Sequence, residues 1–119
     1  MDNATSLSLA RIAIGTAAWV APEMSLRAGM LDASAPQSPY MLRLFGARDA
    51  ALGVITLAAK AEHRPALLKV GLAVDAADAA AAVRALQAGQ VRTPAGATLA
   101  GLAAVAVVAG IVALREQQA

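Results

Sequence analysis

Five charged residues sit where charge is least expected. Arg11 lies in one largely apolar stretch, Arg48 and Asp49 are neighbours in a second, and Asp75 and Asp78 lie three apart in a third. Carboxylates one helical turn apart can approach closely, so both ionise only at a cost, and a proton held by the Asp75/Asp78 pair or by Asp49 is the natural relief. A carboxylic acid beside a carboxylate suits acid–base work on a bound substrate, or proton relay. Asp75, Asp78 and Asp49 are therefore the candidate catalytic residues. Arg11 and Arg48 are the candidate groups for holding a polar part of a substrate. The same five residues can equally form a buried network that fixes helix register.

The elements that must position these residues are helices. Of 119 residues 34 are alanine, 59% are hydrophobic and 15% are charged. A soluble domain is typically about 45–50% apolar and about 25% charged. There is no cysteine, which excludes a disulfide scaffold, a cysteine-based zinc site and thiol-redox chemistry. A net charge of +2 with 3% aromatic residues argues against a nucleic-acid partner. What remains is a small membrane protein or an unusually apolar soluble domain.

Ala95–Leu114 decides for the membrane. It is uncharged throughout and flanked by Arg92 and Arg115. A helix of this length covers about 30 Å, the thickness of the hydrocarbon core. Three further helices are expected at residues 7–20, 40–61 and 66–86, punctuated by Pro22, Pro39, Pro65, Gly89 and Pro94. The expected fold is one all-α domain over residues 1–119, a four-helix transmembrane bundle. The connection at residues 21–39 alternates Met24, Leu26, Met30 and Leu31 with Glu23, Arg27 and Asp32. That pattern fits a short helix in the membrane interface, a lid over a lateral entrance, or a partly ordered loop.

At 100° per residue the charges fall on the small-residue faces. Arg11 shares a face with Ser8, Gly15 and Ala18, and Asp49 with Gly46, Gly53 and Thr56. Asp75 and Asp78 share a stripe with Gly71, Ala82 and Ala85. Small residues mark where membrane helices approach closely. The short Glu62–Pro65 turn makes the second and third long helices antiparallel neighbours, with Gly46, Gly53 and Gly71 expected at their contact. Arg48 has large aliphatic residues on its face and either turns in to an aspartate or snorkels outward. Arg43, Lys60, Lys69 and Arg84 lie near helix ends, as snorkelling anchors do.

Orientation follows from the basic turn. Lys60, Arg64 and Lys69 surround it, so the positive-inside tendency places it, and with it both termini, in the cytoplasm. Trp19 and Tyr40 then form an aromatic belt on the other side. His63 lies in a polar turn and is expected at the surface. No residue set has the spacing of metal ligands, since Asp75 and Asp78 lack a histidine partner, and no phosphate loop or nucleophile elbow is present. No cofactor is expected.

The segments Arg43–Gly53, RLFGARDAALG, and Gly71–Ala82, GLAVDAADAAAA, carry Gly-x-Arg-Asp and Gly-x-x-x-Asp-x-x-Asp cores. They resemble the signature segments of small bacterial four-helix integral membrane proteins classed as a domain of unknown function. The resemblance covers about a third of the chain. It implies a four-helix membrane fold and no activity.

Three function classes follow. The first is an interaction or accessory protein of the inner membrane, multi-pass, with the lipid bilayer and a membrane-protein partner or further copies of itself as company. The second is a membrane-embedded enzyme of isomerase or cyclase type, acting on a lipophilic small molecule through the aspartates. The third is a small proton-coupled transporter, which would need to oligomerise to enclose a pathway.

Overall fold

The computed structural model describes residues 2–29, 31 and 37–118. Five α-helices follow in order: α1 (Asn3–Val20), α2 (Pro22–Ala28), α3 (Ser38–Ala58), α4 (Arg64–Gln87) and α5 (Thr93–Gln118). A single 3₁₀ turn, Ala61–His63, joins α3 to α4. The protein is all-α among the described residues. α5 is long and apolar enough to cross a membrane.

Local chemistry sets the helix limits. α1 starts before the expected residue 7 because Asp2 caps it, accepting a hydrogen bond from the Thr5 amide at 2.7 Å. The Thr5 hydroxyl and amide hold the Asp2 carboxyl below its usual range, so the cap persists as pH falls until that lowered value is reached. Pro39 and Pro65 occupy the first turns of α3 and α4, where the missing N–H costs nothing. α4 ends in a Schellman motif. The Gln90 amide donates to the Ala85 carbonyl at 2.9 Å and the Gly89 amide to the Leu86 carbonyl at 3.2 Å, with Gly89 at φ 69°.

The chain turns through 116° between α1 and α2. Pro22 is fully buried at this elbow, and Ser25 Oγ donates to the Ala21 carbonyl at 2.9 Å. A short helix, one of the forms expected for this connection, is thus present as α2. Leu26 is buried and Met24 is exposed, so they do not share a face as expected. Met30 and Asp32, the rest of that pattern, lie outside the described residues.

The long helices form two antiparallel pairs, α1 on α3 and α4 on α5, joined along α1 and α5. α3 and α4 touch little, contrary to the close contact expected from their short connection. The glycine face of α3 meets α1 instead. A Cβ on Gly46 would lie 2.5 Å from the Gly15 carbonyl oxygen, and one on Gly53 would lie 2.5 Å from that of Ser8. α1 offers small residues at matching intervals, whereas the single glycine on the facing stripe of α4, Gly71, is already occupied. A Cβ there would lie 3.0 Å from Arg11 Nη2.

The termini meet. Asn3 Nδ2 donates to Glu116 Oε2 at 2.6 Å, and Ala4, Leu68 and Ala113 form a small core just inside. The start of α1, the end of α5 and the start of α4 therefore share one end of the bundle. Leu26 and Leu68 apart, the buried side chains are small or polar, and most large apolar side chains lie outside: Leu44, Val54, Val70, Leu102, Val105 and Val108 are all exposed.

Gly46→Ala is expected to lower stability by about 1–3 kcal/mol, because backbone rather than a flexible side chain must give way. Gly101→Ala should cost nothing, since nothing lies within 4 Å of the added methyl. Gly89→Ala places a side chain in the left-handed region and should cost about 1–2 kcal/mol. Denaturation in mixed detergent micelles, followed by far-ultraviolet circular dichroism, ranks the three.

Candidate functional site

The buried residues of α1 are Ala4, Ser8, Arg11, Gly15 and Ala18, and those of α3 are Gly46, Asp49, Gly53 and Thr56. α4 buries Leu68, Gly71, Asp75 and Ala82. These are the small, charge-bearing faces that the sequence periodicity singles out. Where α1, α3 and α4 converge, Arg11 is 8%, Asp49 8% and Asp75 5% exposed.

One guanidinium binds two carboxylates there. Arg11 Nη1 donates to Asp75 Oδ1 at 3.1 Å and Nη2 donates to Asp75 Oδ2 at 2.5 Å, a two-pronged hold. Nη1 also donates to Asp49 Oδ1 at 2.9 Å. The first contact crosses from α1 to α4 and the second runs within the α1–α3 pair. The planar fork suits this task, and a lysine ammonium would not reproduce it. Gly71 makes room for the fork, a role that spacing alone did not disclose: its signal was a glycine one helical turn before an aspartate.

Asp78 is not part of this cluster. It accepts from Arg48 Nη2 at 2.9 Å, with the two side chains 34% and 44% exposed. The Arg48 guanidinium also lies over the Phe45 ring, 5.2 Å from its centre. Arg48 thus turns to an aspartate rather than snorkelling. Asp75 and Asp78 thus contact different arginines rather than each other. Three residues on a helix are offset by about 60° around its axis. Asp75 therefore faces the centre while Asp78 leans to the rim.

The structure brings Arg11, Asp49 and Asp75 together and sets Arg48 and Asp78 beside them as a second pair. One positive group faces two carboxylates in the inner cluster, and counting all five residues gives two arginines against three aspartates. Thr56 stays apart, its hydroxyl donating back to the Leu52 carbonyl at 2.7 Å. An apolar groove of about 380 Å³ lies on α5, lined by Ala104, Val105, Val108 and Ala109, and none of the five charged residues lines it. Among the described residues, no group of three His, Cys, Asp or Glu side chains could hold a metal ion.

One further contact had no clear signal in the sequence. Arg43, expected as a snorkelling anchor, donates from Nε to the Trp19 carbonyl at 3.0 Å and so satisfies the C-terminal end of α1. Its partner is on another helix, so only the α1–α3 pairing reveals it. His63 lies exposed, 3.4 Å from Glu62.

No protein-family model, curated protein or solved structure matches the chain. The chemistry of the site rests on its own geometry.

Arg11→Met is expected to lower stability by about 3–5 kcal/mol, since it leaves two buried carboxylates without a counter-charge. Asp49→Asn should cost clearly less, because it leaves the two-pronged Arg11–Asp75 contact intact and charge-balanced. Arg11→Lys should fall between them. The denaturation midpoints of the three purified variants give the order.

Proposed function

We propose that the chain is a small multi-pass protein of the inner membrane, a bundle of four spans, that works as an interaction or accessory protein. In this role the Arg11–Asp49–Asp75 cluster serves assembly. The observation that carries the membrane assignment is the inverted distribution of side chains. Arginine, aspartate, serine and glycine lie inside, while Val105, Leu102 and Val108 are 68%, 59% and 61% exposed. Only 17% of the most apolar stretch of α5 is buried. Water would leave unrealised about 1.5–3 kcal/mol for each such side chain, whereas lipid covers them. A charge at mid-span costs about 2.5–3.5 kcal/mol on insertion scales, and the ion pairs offset this cost. The assembly role is supported by the pairing within the cluster, in which three guanidinium hydrogen bonds tie Asp49 of α3 and Asp75 of α4 to α1.

A second reading draws on the two carboxylates that share one guanidinium. Asp49 and Asp75 would then exchange protons with a lipophilic substrate, in a membrane-embedded isomerase or cyclase. Native mass spectrometry of protein extracted from its own membranes separates the two. A bound protein partner or second copy supports the accessory role. A retained lipophilic small molecule, lost in Asp75→Asn, supports the enzyme.

Membrane residence has a test in the parent chain, whose only tryptophan is Trp19 at the end of α1. In vesicles, its fluorescence should be quenched most by labels near the headgroups and least by labels at the bilayer centre. Absence of quenching by every label would show that the protein does not enter the bilayer.

Topology is testable because there are no cysteines. With the basic turn cytoplasmic, Gln90→Cys should react with an impermeant thiol reagent applied to intact cells and His63→Cys should not. The opposite pattern would reverse the orientation.

A further inference from the structure

The seam between α3 and α4 is sparsely packed beside the α1–α3 and α4–α5 contacts, and it carries the half-exposed Arg48–Asp78 pair. Arg48 is the central residue of α3 (Ser38–Ala58), and Asp78 lies within one turn of the centre of α4 (Arg64–Gln87). About 15 Å of helix separates Arg48 from either end of α3. An arginine stem does not bridge that distance to the interface, and the stacking on Phe45 holds the side chain at this depth. The rim of the seam is apolar, with Leu44 and Ile55 exposed on α3 and the small Ala77 and Ala81 exposed on α4. In the span proposed above, a half-open ion pair in an apolar rim would face hydrocarbon.

We propose that the α3–α4 seam is the contact surface for a second copy of the chain, in a two-fold dimer where the Arg48 of each copy also faces the Asp78 of the other. The proposal rests on the membrane assignment of the preceding subsection. The pair lies across the seam, so the line joining its charges runs from one helix to its neighbour. A two-fold axis parallel to the helices then sets positive against negative on both sides. Both copies keep the same orientation in the bilayer, as chains inserted by one rule must. The charges also have capacity to spare. Arginine has five N–H donors, and one bond joins Arg48 to Asp78, whose second oxygen remains as an acceptor. The quartet encloses both pairs and removes the open charge from lipid. A neighbour of other sequence would need its own matching pair, whereas a second copy supplies it by symmetry.

Cysteine cross-linking in native membranes tests the surface with little disturbance. Ala51 is exposed one turn from Arg48, and Val105 is exposed on α5, away from the seam. With a short bifunctional thiol reagent, which spans the diagonal between the two α3 helices, Ala51→Cys should form a covalent dimer and Val105→Cys should not. Cross-linking at Val105 alone, or equally at both, would overturn the proposal. So would a monomeric Ala51→Cys protein that remains embedded and helical. Release of the parent chain into plain buffer is a different failure: it removes the membrane assignment, and the proposal with it.

Charge exchange between copies supplies a second measurement. Arg48→Asp gives a copy with two negative groups at the seam, and Asp78→Arg gives one with two positive groups. Each should associate poorly with itself. Co-expressed with different tags, the two should co-purify at least about tenfold more than either with itself, equivalent to about 1.4 kcal/mol. Equal recovery of mixed and self pairs would mean that the seam does not face another copy.

Discussion

A lone charge has no stable place among apolar helices, and this constraint organises the molecule. Arg11 meets it by answering two carboxylates from two directions. Its bond to Asp49 lies within the α1–α3 pair, and its two-pronged bond to Asp75 reaches the other pair. The pairs are linked further by the Arg48–Asp78 bond and by packing along α1 and α5, reinforced where Asn3 meets Glu116. A guanidinium is thus as much a part of the tertiary structure as any row of leucines. The interior is otherwise alanine, glycine and small polar groups, with few large side chains to lock its register. Directional bonds supply the specificity that such a core lacks.

Close helix approach follows from the same choice of residues. α1 and α3 meet at Gly15 and Gly46, and again at Ser8 and Gly53. At those points backbone lies against backbone, and dispersion between closely fitted surfaces replaces the burial of bulky side chains. α4 and α5 use a different device. Leu86 and Leu72 of α4 fill the places that Gly96 and Gly110 leave on α5. One pair is flat against flat and the other is knob into hollow, which accounts for the separate character of the two halves.

Much of this was legible in the sequence, and the part that was not has a definite cause. Faces were legible because period and residue size agree: Ser8, Arg11, Gly15 and Ala18 form one stripe, and Gly46, Asp49, Gly53 and Thr56 another. Helix limits were legible to within a few residues because prolines and Gly89 mark them. The partner of each face was not. A small-residue stripe fits any other small-residue stripe, and the short link between α3 and α4 pointed to the wrong one. The decisive facts were the reach of the Arg11 side chain and the vacancy at Gly71 that admits it, and neither has a periodicity. Asp75 and Asp78 were read as a couple because they lie one turn apart. The offset that turns them to different arginines matters only once those arginines are in place.

The division of charge between the two halves also bears on how the chain is made. Residues 3–58 contain α1, α2 and α3, and they hold Arg11, Asp49 and Arg48. α4 brings Asp75 and Asp78, whose arginine partners both lie in the first half. Synthesis runs from the N-terminus, so the arginines leave the ribosome before the acids they will hold. In the proposed bilayer setting, the first half enters carrying its own Arg11–Asp49 pair and waits as a template. The helix that carries these two acids arrives afterwards, to counter-ions already at the right depth, and the strongly apolar α5 follows to secure it. Exchanging the halves in the gene would leave every contact of the finished bundle possible while sending the two acids in first, with no basic partner to receive them.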